Sequence, residues 1–116
     1  YIKPFVDKID QQIMFAEKSW GSFRVLDIED ESMTIKVTLM PGHKMNYHSH
    51  ERRDEVWTII QGNGQAILDD EIKDVRPGDV LTMKAGCKHT IAAVTELKLI
   101  EVQLGKEISV KDKIKY

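Results

Sequence analysis

From Trp20 onward the hydrophobic positions of the chain fall on a two-residue period. The run Met33-Thr34-Ile35-Lys36-Val37-Thr38-Leu39 alternates apolar and polar at every step, the pattern of a strand with one face in a core and the other in water. Phe23-Arg24-Val25-Leu26 predicts a shorter strand before it, with the polar run 27–32 as the turn between them. After Pro41-Gly42 a run from Lys44 to His50 continues in strand geometry. Glu55-Val56-Trp57-Thr58-Ile59-Ile60-Gln61 follows, rich in β-branched and aromatic residues. Gly62-Asn63-Gly64 predicts a tight turn from which Gln65 to Leu68 returns as the hairpin partner. Asp69-Asp70, Arg76-Pro77-Gly78-Asp79 and Ala85-Gly86 punctuate further strands over 71–75, 80–83 and 89–94, and 97–103 closes the series. Short strands about every eight to twelve residues, separated by glycine or proline and without a long helical period, predict an all-β fold, a barrel or a sandwich.

The two ends depart from this pattern. In residues 1–19 Ile9, Ile13 and Met14 stand on a loose helical spacing, which predicts a short helix or an extended arm ahead of a barrel over 20–105. Residues 106–116 are basic and weakly apolar, a tail expected to pack on the barrel or extend it.

Composition narrows the class without naming a chemistry. At 116 residues the chain has room for one domain with one core. Its 41% hydrophobic and 31% charged residues exclude a disordered or collagen-like chain. A net charge of −2 without a polybasic run argues against nucleic-acid or anionic-membrane partners. Cys87 is the one cysteine, so no internal disulfide forms. Neither a signal peptide nor an apolar run of membrane-spanning length is read, and the expected location is cytoplasmic.

The candidate chemistry lies between Gly42 and Gly62, in GHKMNYHSHERRDEVWTIIQG. His48 and His50, one residue apart in a strand, point to one face and can reach one ion. Glu55 follows a short polar connection and can return a carboxylate to the same place, giving donors that divalent transition metals accept. By the same parity Lys44 and Asn46 share the face of the two histidines. A second glycine-bounded stretch, Gly78-Asp79-Val80-Leu81-Thr82-Met83-Lys84-Ala85-Gly86-Cys87-Lys88-His89, sets another histidine just after a turn.

Together the two stretches resemble the paired motifs of the cupin superfamily, G-x5-H-x-H-x4-E-x6-G and G-x5-P-x-G-x2-H-x3-N. The first matches at every defined position; the second keeps its glycines and histidine but has Lys84 for the proline and Ala93 for the asparagine. The resemblance implies a single small cupin, a double-stranded β-helix or jelly-roll barrel, with His48, His50, Glu55 and His89 as ligands of one divalent transition metal. Zinc or manganese is expected before iron, cobalt or nickel. Ser19-Trp20-Gly21-Ser22-Phe23, Arg53-x-Glu55-x-Trp57, Gly86-Cys87-Lys88-His89 and Leu99-Ile100-Glu101-Val102-Gln103-Leu104-Gly105 further resemble the type II mannose-6-phosphate isomerase domain. In that family the position of His48 usually carries glutamine. Many of its members place the domain after a nucleotidyltransferase domain, and no glycine-rich nucleotide loop of that kind stands in this chain.

The resemblance implies an isomerase moving a proton between C1 and C2 of a sugar phosphate through an enediol. Lys44 and Glu101 are the candidate base and acid, against a solvated lysine and an ion-paired glutamate as the alternatives. Arg53 and Lys88 are candidates for the phosphate. Trp57 is a candidate to stack on the sugar or a core residue. Cys87 reads as a small buried thiol. A cupin dioxygenase and a non-catalytic sugar-binding module are the competing functions. A homodimer is the expected assembly, because small barrels leave strand edges that a second copy can cover.

Overall fold

The computed structural model describes residues 14–109 and 111–116, and every regular element among them is a strand. In chain order these are β1 (Phe15–Lys18), β2 (Gly21–Ile28), β3 (Ser32–Leu39), β4 (His48–Ser49), β5 (Asp54–Gln61), β6 (Gly64–Leu68), β7 (Glu71–Val75), β8 (Val80–Met83), β9 (His89–Ala93), β10 (Leu97–Leu104) and β11 (Ile114–Lys115). Six form an antiparallel sheet in the order β1-β2-β3-β10-β5-β8, and five form a second in the order β11-β4-β9-β6-β7. The all-β barrel expected from the alternation is therefore what the chain adopts. No helix among the described residues is long and apolar enough to cross a membrane.

The alternation in β3 becomes an alternation of burial, with Met33, Ile35, Val37 and Leu39 inside. On the central strand β10 the inward row is Leu97, Leu99, Glu101 and Gln103. Register places Leu99 beside Ile59 and Val37, Glu101 beside Trp57 and Ile35, and Gln103 beside Glu55 and Met33. The interior is hydrocarbon at one end of these strands and polar at the other. The apolar end supplies the stability, about 1.5–3 kcal/mol for each large side chain removed from water. The polar end is the place where a site can be built.

Three local expectations change. Gln65 to Leu68 does return from the Gly62-Asn63 turn, but β6 pairs with β7 and β9, not with β5. The chain crosses between sheets at Gly62, whose φ of 82° and close approach to the Glu96 carbonyl leave no room for a side chain. The run from Lys44 to His50 is not one strand. Only His48–Ser49 is regular, with an isolated bridge from Lys44 to Ala92. The polar run after Leu26 starts inside β2, where a bulge between Val25 and Asp27 shifts the register. Asp69 and Asp70, with φ of 46° and 69°, form the two-residue left-handed turn that right-twisted hairpins favour. Of the expected N-terminal arm or helix, residues 1–13 lie outside the described residues, and Phe15–Lys18 pair with β2.

Candidate metal centre

His48 in β4 and His89 in β9 are cross-strand partners. His50 lies one residue past β4, and Glu55 is the second residue of β5. All four side chains are buried, and their donor atoms lie within 4.8 Å of one another. Each imidazole is held from behind by a main-chain carbonyl: His48 Nδ1 by Asn46 at 2.6 Å, His50 Nδ1 by Asp112 at 2.5 Å and His89 Nδ1 by Cys87 at 2.9 Å. A carbonyl oxygen only accepts, so each Nδ1 carries the proton and each Nε2 presents a lone pair.

Those lone pairs face a carboxylate. His50 Nε2 lies 3.1 Å from Glu55 Oε2, and His89 Nε2 lies 3.2 Å from Glu55 Oε1. Glu55 Oε1 and His89 Nε2 have no hydrogen-bond partner among the described residues. Two buried acceptors directed at each other call for a cation. Three imidazoles and one carboxylate are a donor set that zinc, manganese, iron, cobalt and nickel accept. The residues present fit a divalent metal.

The electrostatics keep the set ready for one. Burial pushes His48 down to about 3, with the Asn46 carbonyl opposing and His89, Lys113 and His50 adding to the effect. Burial also lowers His50, against the pull of Glu55. Burial acts to raise Glu55, but the adjacent His89 ring and the positive charge of Arg53 outweigh it and hold the carboxyl below the ordinary range. Burial thus favours the neutral form of His48 and His50, and the carboxylate of Glu55 is ionised, the protonation states in which such groups bind metal.

Arg53 is part of this centre. Its Nε donates to Glu55 Oε2 at 2.8 Å and its Nη2 to His50 Nε2 at 3.1 Å, while Nη1 reaches the Ser109 carbonyl at 3.3 Å. Glu101 lies deeper. It accepts from Trp57 Nε1 and Gln103 Nε2, each at 2.7 Å. Burial raises its pKa to about 7, the Glu55 charge adds to this, and the bond from Gln103, the Arg53 charge and the bond from Trp57 act against it. The two carboxyls of the cavity are thus driven apart, one down and one up.

A cavity of about 260 Å³ joins His48, His50, Glu55, Arg53, Glu101 and Gln103. Trp20 and Phe23 line its apolar side, and Lys18 and Lys113 also face it. Lys113 is lowered first by burial of part of its side chain, then by the like charges of Lys115, Lys18 and Arg53, so cations gather on one side. A larger open groove of about 560 Å³ near Asn63, Asp74 and Arg76 lies elsewhere.

The remaining sequence candidates fall outside the cavity lining. Lys44 is exposed, while its neighbour Met45 lines the cavity. The parity that put Lys44 beside His48 assumed an unbroken strand. Lys88 holds its ammonium 4.7 Å from the centre of the Tyr116 ring. Trp57 is fully buried, edge-on to His89 at 5.4 Å and bonded to Glu101. Cys87 is half-buried, its thiol pushed up to about 11 by burial and Asp69. The fourth histidine, His43, is exposed on the Pro41 carbonyl. Residues the sequence reading left out are Gln103, Asp112, Lys113 and Lys18. Gln103 had a signal, since it shares Glu101's parity on a strand whose other inward residues are leucines. The tail residues had none, because β11 reaches the centre only by pairing with β4.

Barrel and buried donor set together define a cupin with a candidate metal centre. The family model described as mannose-6-phosphate isomerase C-terminal matches residues 7–116, and the chain belongs to that family. It is 28% identical over 100 residues to a mannose-1-phosphate guanylyltransferase of Salmonella muenchen, covering 84% of this chain and 21% of the relative. The chain spans about a fifth of the length of the curated relatives it matches. Among solved structures it is similar to oxalate decarboxylase from Bacillus subtilis, with a TM-score of 0.75 and 23% identity over 86% of this chain and 28% of that one. It is also similar to KdgF from Halomonas sp., with a TM-score of 0.71 and 21% identity over 74% of this chain and 79% of that one. These structural likenesses show the fold.

Proposed function

We propose that the protein is a metal-dependent isomerase that interconverts an aldose phosphate and a ketose phosphate, with mannose 6-phosphate and fructose 6-phosphate as the pair. The observation that carries this reading is Glu101, a buried carboxyl with its pKa raised to about 7 that lines the same cavity as His48, His50 and Glu55 of the four-donor set. His48, His50, Glu55 and His89 would hold the divalent ion, zinc or manganese before iron, cobalt or nickel, and the ion would supply positive charge to polarise the carbonyl and acidify the neighbouring C–H.

Glu101 takes the proton from C2 of the open-chain aldose, leaving an enediolate with the negative charge on O1; the hydroxyl proton passes from O2 to O1, and Glu101 returns its proton to C1 to give the ketose. Trp57 Nε1 and Gln103 Nε2 fix the carboxylate for both transfers. Lys44 has no part in this scheme, being exposed and off the cavity wall. Lys113 and Lys18 receive the phosphate, and Trp20 and Phe23 cover the sugar and exclude water. Arg53 holds Glu55 and adds to the positive side.

The test is conversion of fructose 6-phosphate to mannose 6-phosphate by protein loaded in turn with each metal. No conversion with any of them overturns the reading, and oxygen uptake by the iron form in its place indicates a dioxygenase. A homodimer belongs to the same proposal, since β7 and β8 end their sheets with Ile72 and Val80 exposed; light scattering counts the copies.

A further inference from the structure

Gln103 stands between the metal donors and the buried acid. On β10 it is in register with Glu55, two residues along the same inward row from Glu101. Its Nε2 donates to Glu101 Oε2 at 2.7 Å, while Trp57 occupies the other carboxylate oxygen. In its basic form the Glu101 carboxylate only accepts, so the amide nitrogen faces it and the amide oxygen faces away. That oxygen, Gln103 Oε1, is buried with no hydrogen-bond partner among the described residues, on a side chain that lines the cavity.

An unsatisfied buried acceptor costs about 1–3 kcal/mol. The two other orphan atoms, Glu55 Oε1 and His89 Nε2, face each other inside the four-donor set and are answered by a cation. Gln103 Oε1 lies outside that set and is neutral, so its complement is a hydroxyl donor. Its place beside Glu101 says which one. With the C2 proton directed at the Glu101 carboxylate, the hydroxyl on the same carbon has within reach the amide oxygen of the residue bonded to that carboxylate.

We propose that Gln103 Oε1 accepts the C2 hydroxyl of the bound aldose phosphate and makes the site selective for a hydroxyl at that carbon. The inference rests on the isomerase reading for the identity of the ligand, and on Gln103 alone for the selectivity. Gln103 also joins the two halves of the chemistry, because the amide that holds the base through Nε2 holds the reacting carbon's hydroxyl through Oε1.

The experiment is calorimetric binding of mannose 6-phosphate and of its 2-deoxy analogue to metal-loaded protein. Wild type is expected to prefer the hydroxylated compound by about tenfold. Gln103→Met, which keeps the length of the side chain and removes the acceptor, should bring the two affinities within about twofold at unchanged metal content. Gln103→Glu, which keeps an oxygen at that place, should retain the preference. Equal affinities in wild type, or a preference that survives Gln103→Met, overturn the inference. Should Gln103→Met fail to fold, the wild-type and Gln103→Glu ratios decide it. A hydroxyl preference without isomerisation overturns the isomerase reading alone, and failure of both compounds to bind overturns both.

Discussion

His50 donates from Nδ1 to the main-chain carbonyl of Asp112 at 2.5 Å. The carboxylate of the same residue accepts from the main-chain amides of Glu51 and Arg52, each at 2.8 Å. One tail residue thus sets the ring of one ligand and the path of the loop that leads to another. The tail is tied down by β11 on β4 and by the hydrogen bond between the hydroxyls of Tyr116 and Ser49 at 2.8 Å.

Asp112→Ala releases both loop amides while leaving the four donors in the chain. Groups that orient metal ligands are each worth roughly 10- to 100-fold in affinity, and a loss of that size is expected in chelator competition. Unchanged affinity would show that the loop holds its shape without the carboxylate.

Glu101 makes activity and stability respond to pH in opposite senses. As the base it must be ionised, so turnover should rise with pH through about 7 and fall by about a hundred- to ten-thousand-fold in Glu101→Gln. Its folded pKa is raised from 4.5, so the folded state binds this proton more tightly than the unfolded chain. The associated stability is complete below the unfolded value and is lost as pH climbs through about 7. Thermal melting of the metal-free protein should show Glu101→Gln gaining on wild type between pH 5 and 8. A constant difference across that range would contradict the raised pKa.

Lys113→Ala should raise KM for a sugar phosphate several-fold and leave kcat nearly unchanged, because the cation acts on the anionic end in ground and transition states alike. Binding of the unphosphorylated sugar should be indifferent to the change. An equal loss for both sugars would mean that Lys113 shapes the cavity and does not read charge.

Gly62→Ala should destabilise the barrel by more than about 1 kcal/mol in urea denaturation, since φ is positive there and no substitution relieves it. The added Cβ would stand 2.0 Å from the Glu96 carbonyl oxygen. Gly42→Ala is the control: its φ of 77° carries the same strain, but nothing lies within 4 Å of the new Cβ. The difference between the two variants measures the clash.

Much of this architecture was legible because period-two burial is a local property. Met33 to Leu39 announces a strand wherever its partners lie, and Asp69-Asp70 announces a turn. Partners are a global property. Nothing in Gln65 to Leu68 says that β6 leaves β5 for the other sheet, and the close approach that directs it is made by Glu96, far along the chain. The four donors stood out by residue type and glycine spacing. Their surroundings did not, because Lys44 was assigned by carrying strand parity through a segment that breaks, and Asp112 and Lys113 act from a tail with little pattern of its own.

The pairing of His48 with His89 has a kinetic meaning. His48 and His50 come from one local segment, but His89 arrives only when β9 has been laid against β4, a contact between distant parts of the chain. Such contacts form late, after the entropy of closing the long intervening loop has been overcome. His48, His50 and Glu55 lie within eight residues of one another, but the four-donor set is complete only when His89 is in place, so full-affinity binding comes after folding. Uptake of metal by refolding protein should therefore keep time with the final folding phase and report its completion.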